Sequence, residues 1–71
     1  MNRNRVVSSN VAEVGYDPTT KILEVAFVNG GVYQYLDIPG PLYDELITAP
    51  SIGRYLHARI KNAGYTVLRL A

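Results

Sequence analysis

The sequence predicts a small α+β domain: a three-stranded antiparallel meander, two short helices, and a last segment able to add an edge strand, in the order β-β-β-α-α-β. Three observations carry this reading. Lys21 to Ile38 holds two apolar, β-prone runs around Asn29-Gly30-Gly31, and an Asn-Gly step between such runs is a strong hairpin signal. Leu42, Tyr43, Leu46 and Ile47, then Ile52, Leu56 and Ile60, recur at helical spacing. A chain of 71 residues, 48% hydrophobic and only 18% charged, can fill one core and is too apolar for a disordered segment.

Residues 1–9 hold Arg3 and Arg5 and read as a flexible N-terminal arm; residues 10–71 read as a single domain. From Asn10, Val-Ala-Glu-Val-Gly-Tyr forms the first strand, which ends at Asp17-Pro18-Thr19-Thr20. Asp bonds forward to its own backbone and Pro presets φ, so this is turn chemistry, and the short link makes the first two strands antiparallel.

The hairpin loop sets the faces. A two-residue loop of type I′ at Asn29-Gly30, or one at Gly30-Gly31, puts Leu23, Val25 and Phe27 on one face with Val32, Gln34, Leu36 and Ile38. Ile22, Glu24, Ala26 and Val28 then share the other with Tyr33, Tyr35 and Asp37. The first set is the better core. A three-residue loop with a bulge would swap the partner faces.

Pro39-Gly40-Pro41 breaks the chain and starts a helix, with Pro41 suited to the first helical position. Pro50 stops that helix, Ser51 can cap the next, and Asn62-Ala63-Gly64 is a C-terminal signal. In the second helix Ile52, Leu56 and Ile60 make an apolar stripe, while Arg54, His57 and Lys61 fall on another side. Thr66-Val67-Leu68-Arg69-Leu70 alternates like an edge strand.

Composition removes several chemistries. Without Cys there are no disulfides or thiolate metal sites. No apolar run approaches the ~20 residues of a membrane span, and the N-terminus lacks a signal peptide's apolar region, so the chain is expected to be cytoplasmic and not membrane-bound. His57 is the one histidine and has no second His or Cys to complete a metal site. Asp44 and Glu45 are adjacent on a helix and diverge by ~100°, so they make no acid/base pair. Ser8 and Ser9 have no identifiable base near them. The Gly30-Gly31 step lacks the spacing, Lys and following helix of a phosphate loop. The chain is therefore read as non-enzymatic, with no cofactor or metal. Net charge is only +1, but from Arg54 onward Arg54, His57, Arg59, Lys61 and Arg69 occur with no acid, which makes one side electropositive.

Ser8-Ser9-Asn10, Val14-Gly15-Tyr16-Asp17, Leu23 to Phe27, Asn29 to Tyr35, Ile38-Pro39, Tyr43, Leu46 and Gly53-Arg54-Tyr55 together resemble the KTSC domain. That family is named for a segment at the C-terminus of some lysyl-tRNA synthetases and also occurs as a stand-alone bacterial protein of about this length. Its signature is a central Tyr-x-Tyr, here Tyr33-Gln34-Tyr35, and the likeness spans roughly residues 6–70. The resemblance implies a domain of unestablished function, with RNA binding suggested by the synthetase context.

Two function classes follow. In the first, Tyr33 and Tyr35 stack bases while Arg54, His57 and Lys61 contact phosphates, making an RNA-binding module. With a two-residue loop, however, a helix on the Leu23/Val25/Phe27 face points its basic side away from the tyrosines, and the two parts do not combine. The bland alternatives are tyrosines packed in the core and a solvated basic helix face. In the second class the half-apolar sheet face docks a protein partner or a second copy of the chain, giving an interaction or homodimerisation module.

Overall fold

The central hairpin closes through three residues, and this decides which side chains enter the core. The computed structural model describes residues 1–71. Its five strands, β1 (Asn4–Arg5), β2 (Val11–Asp17), β3 (Ile22–Phe27), β4 (Val32–Tyr35) and β5 (Val67–Arg69), form one antiparallel sheet in chain order. Between β4 and β5 lie α1 (Gly40–Thr48) and α2 (Ile52–Tyr55), the latter running on into a π-helical turn, Leu56–Ile60, and a 3-10 turn, Lys61–Ala63. The α+β class and the predicted final edge strand are both present.

At the hairpin tip the Phe27 amide donates to the Gly31 carbonyl at 2.8 Å and the Gly30 amide to the Phe27 carbonyl at 2.9 Å. Val28 and Asn29 make a right-handed turn, and Gly30, at φ 98°, takes the left-handed residue that follows it. This is the three-residue hairpin with a glycine bulge, not the type I′ turn expected from Asn29-Gly30. Asn29 contributes through its side chain instead, accepting the Gly31 amide at 3.0 Å.

The longer loop swaps the faces. Leu23 pairs with Tyr35 and Val25 with Tyr33, so both tyrosines stand with Leu23, Val25 and Phe27. Val32 and Gln34 pair with Ala26 and Glu24 on the opposite face. The expected grouping of Gln34 and Val32 with the core, and of Tyr33 and Tyr35 with Ile22, Glu24 and Ala26, is thereby corrected. Tyr35 itself is 4% exposed and part of the core.

Both helices cover the tyrosine face. Val11, Val14, Leu23, Val25 and Tyr35 from the sheet meet Leu46, Ile52, Leu56 and Ile60 from the helical segment. Ile52, Leu56 and Ile60 are the stripe their spacing predicts, and Ser51 caps them by accepting the Arg54 amide. Pro39 stands at the N-cap of α1 and Pro41 one position further in than expected. The segment between sheet and helix is tied down by Tyr16, which donates to the Ile38 carbonyl and stacks on Tyr43 at 4.7 Å.

The far face of the sheet is polar along one line. Arg3 bonds Glu13 at 3.0 Å and Glu24 at 2.9 Å, and Gln34 donates to the other Glu24 oxygen at 2.9 Å. Residues 1–9 thus supply a strand and a cation to the sheet. The Asn2 carbonyl lies so close to Gly15 that a Cβ there would collide with it. No helix is long and apolar enough to cross a membrane.

Candidate nucleic-acid interface

The helices stop short of the hairpin end of the sheet. There Phe27 and Tyr33 are half-buried, and a depression of about 720 Å³ opens over them. Tyr35 lies at its floor, with Tyr65, Val67 and Lys61 along its walls. The rings are already organised: Phe27 and Tyr33 pack edge to face, centroids 5.6 Å apart. A cation sits by each, Lys61 Nζ 4.8 Å from the Phe27 centroid and the Arg69 guanidinium 5.7 Å from that of Tyr33. Cations near ring faces are attracted by the ring quadrupole, and of the two Lys61 lines the depression.

A second depression, of about 600 Å³, adjoins the first. Arg54, His57, Ser51 and Ala58 line it, and it shares Ser9, Asn10 and Lys61 with its neighbour. Neither lining contains an Asp or Glu. The acids lie elsewhere: Glu13 and Glu24 are engaged with Arg3 on the far face of the sheet, Asp44 and Glu45 belong to α1, and Asp17 and Asp37 lie at the ends of β2 and β4 away from the hairpin tip.

All of the sequence-predicted site residues therefore lie on one side of the molecule. Tyr33, Tyr35 and Lys61 line the aromatic depression; Arg54, His57 and Lys61 line the basic one. The expected separation of the tyrosines from the basic helix side does not occur, because the three-residue loop turns Tyr33 and Tyr35 toward the helices. Their exposure differs. Arg54, His57 and Lys61 are exposed and Tyr33 is half-buried, but Tyr35 is enclosed. Burial, and secondarily the neighbouring Tyr33, raises the pKa of the Tyr35 phenol, which keeps it a neutral ring.

Sequence reasoning missed several members of this surface. The sequence reading places Phe27 wholly in the core and Val67 in a plain edge strand, and gives Tyr65 no role. Ser9 and Asn10 were placed at the end of the arm and the start of the first strand. The one available signal was the odd-length loop, which puts Phe27 beside Tyr33. Chemically the surface sets aromatic rings and cations next to each other, with Lys61 over Phe27 and Arg69 over Tyr33, so a base that stacks on either ring face takes the place of a cation.

Comparison with known proteins adds the following. The family model for the KTSC domain matches residues 7–65. An uncharacterised protein of Stutzerimonas stutzeri is 36% identical over 70 residues, 99% of each chain. A lysine–tRNA ligase of a Nostoc species is 44% identical over 46 residues, 65% of this chain but only 8% of the ligase. The crystal structure of a KTSC domain protein from Yersinia pestis superposes with a TM-score of 0.92 at 31% identity, covering 99% of this chain and 97% of that one.

Proposed function

The chain belongs to the KTSC domain family, and from that premise we propose that it is a non-catalytic module that binds single-stranded RNA. One observation carries the reading: an aromatic depression and a basic depression share a rim and contain no carboxylate. Base stacking on protein rings is worth ~1–3 kcal/mol per base and tolerates any sequence. Phosphate contacts from Lys61, Arg54 and His57 add a salt-dependent component. The lysine–tRNA ligases, which carry a similar segment over a small part of their length, are a setting in which RNA is at hand.

A ¹⁵N-HSQC titration with a short single-stranded RNA at low and high salt tests this. Shifts at Phe27, Tyr33 and Tyr65 together with those at Arg54–Lys61 are expected, with affinity falling steeply as salt rises. Tyr33→Ala should weaken binding roughly tenfold, the equivalent of about one stacking contact. Shifts confined to Arg54–Lys61 that vanish with salt would reduce the surface to a non-specific phosphate patch, and no shifts at all would remove the RNA reading.

A second reading, self-association or protein docking, has one observation in its favour. Val67, Leu68 and Leu70 are about half exposed, on or beside an open sheet edge. Such association would persist at high salt, so the same titration separates the two.

A further inference from the structure

Ser8, Ser9 and Asn10 precede the first long strand, and the last two form the rim between the depressions. The Ser8 hydroxyl oxygen accepts the amides of Asn10 at 3.4 Å and Val11 at 3.3 Å. Its single proton is donated to Asn10 Oδ1 at 3.1 Å. That bond fixes which end of the Asn10 amide is oxygen. The oxygen also rests on Gly53, where a Cβ would collide with it, so the amide is clamped between β2 and the start of α2.

What remains unused is chemically specific. Neither the Asn10 Nδ2 group nor the Ser9 hydroxyl bonds a protein group, and both residues are exposed on the shared rim. A nucleotide whose base lies on Phe27 and Tyr33 and whose phosphate meets Arg54 or His57 spans both depressions, which places its sugar beside the Ser9 and Asn10 that they share. The sugar's distinguishing group is the 2′-hydroxyl, a donor and an acceptor together, and it is what separates RNA from DNA at a given site. Ser9 and Asn10 present the matching pair: an amide N–H₂ to donate to O2′ and a hydroxyl to accept from it.

We propose that Ser9 and Asn10 read the ribose 2′-hydroxyl and make the groove selective for RNA over DNA. This rests on the nucleic-acid reading of the groove, and the test separates the two. Oligo-uridine and oligo-deoxyuridine of equal length differ only at the 2′ position, and both are titrated by fluorescence anisotropy into the full chain. The wild type should prefer the ribose form by about tenfold, the effect of one or two neutral hydrogen bonds. Asn10→Ala and Ser9→Ala should lower ribose affinity toward the deoxyribose value and leave deoxyribose affinity where it was. Gly53→Ala, which keeps Asn10 but displaces its amide, should do the same as Asn10→Ala. Ser9→Ala guards against misfolding as an explanation, since its side chain holds nothing in the fold. Equal wild-type affinity for both polymers, or variants that lose both equally, would overturn ribose reading while leaving the groove a nucleic-acid site. Failure of the wild type to bind either polymer would overturn both.

Discussion

Tyr33 and Tyr35 stand two apart on the same strand face, yet they have different duties. Tyr35 is enclosed by the core and Tyr33 forms the half-open wall of the groove. Truncating Tyr35 removes a ring from a domain whose whole stability, at this size, is on the order of 4–10 kcal/mol. Tyr35→Ala should therefore cost about 3–5 kcal/mol in urea unfolding, a large share of that total, whereas Tyr33→Ala should leave a cooperative transition. A Tyr35→Ala protein with near wild-type midpoint would show that the ring is not a core element. It follows that a double Tyr33/Tyr35 truncation reports on folding, and that Tyr33 alone is the probe of binding. At this scale the sequence exposed the residue types but not their burial. Tyr33 and Tyr35 look identical in a Tyr-x-Tyr motif, and only the packing of the helical segment over one of them tells them apart. Asn10 carried even less signal: its value lies in contacts with Ser8 and with Gly53, the latter 43 positions away in the chain, which no local pattern encodes.

The central hairpin shows how far pattern reading reaches along an element. Apolar, β-prone runs and Asn-Gly identified both strands of the hairpin, and helical spacing identified the Ile52, Leu56 and Ile60 stripe, because those signals are local. The face assignment failed on a single residue of loop length. With Gly30 at φ 98° after a right-handed turn, partners on the two strands share parity, and a two-residue loop would have given the opposite. Gly30 is thus the residue on which the groove depends. A Cβ there would meet no atom within 4 Å, so any penalty for substitution is purely conformational. Gly30→Ala should destabilise by about 1–2 kcal/mol, and Gly30→Asn by less, since Asn tolerates the left-handed region. Thermal unfolding of the two variants checks the order; equal midpoints for Ala and wild type would mean that the loop does not need that conformation. The first nine residues illustrate the opposite limit. Their two-residue strand is too short to leave a pattern, and Arg3 is held by carboxylates that are remote in sequence.

For the molecule as a whole, the phenols lie under the helices or against them and tie stability to alkaline pH. Burial is the main cause that raises the pKa of Tyr16, Tyr35, Tyr43 and Tyr55. Carboxylates add to it: Asp44 then Asp17 for Tyr16, Asp44 for Tyr43, and Glu45 for Tyr55, where Arg59 works in the other direction. The sign follows from proton counting. Above the ordinary phenol value of about 10 the unfolded chain has released protons that the folded one retains, so the unfolded state binds fewer and stability falls as pH rises. The stabilising contribution is complete below about pH 10 and is lost as pH climbs through the raised folded values. Phenolate absorbance followed together with circular dichroism should therefore show these four tyrosines ionising in step with loss of secondary structure. If they instead titrate at the ordinary value while the sheet and helices stay intact, the rings are more open to water than their packing indicates. The helices would then not seal the sheet, and the groove at its hairpin end would have no rigid floor on which to stack a base.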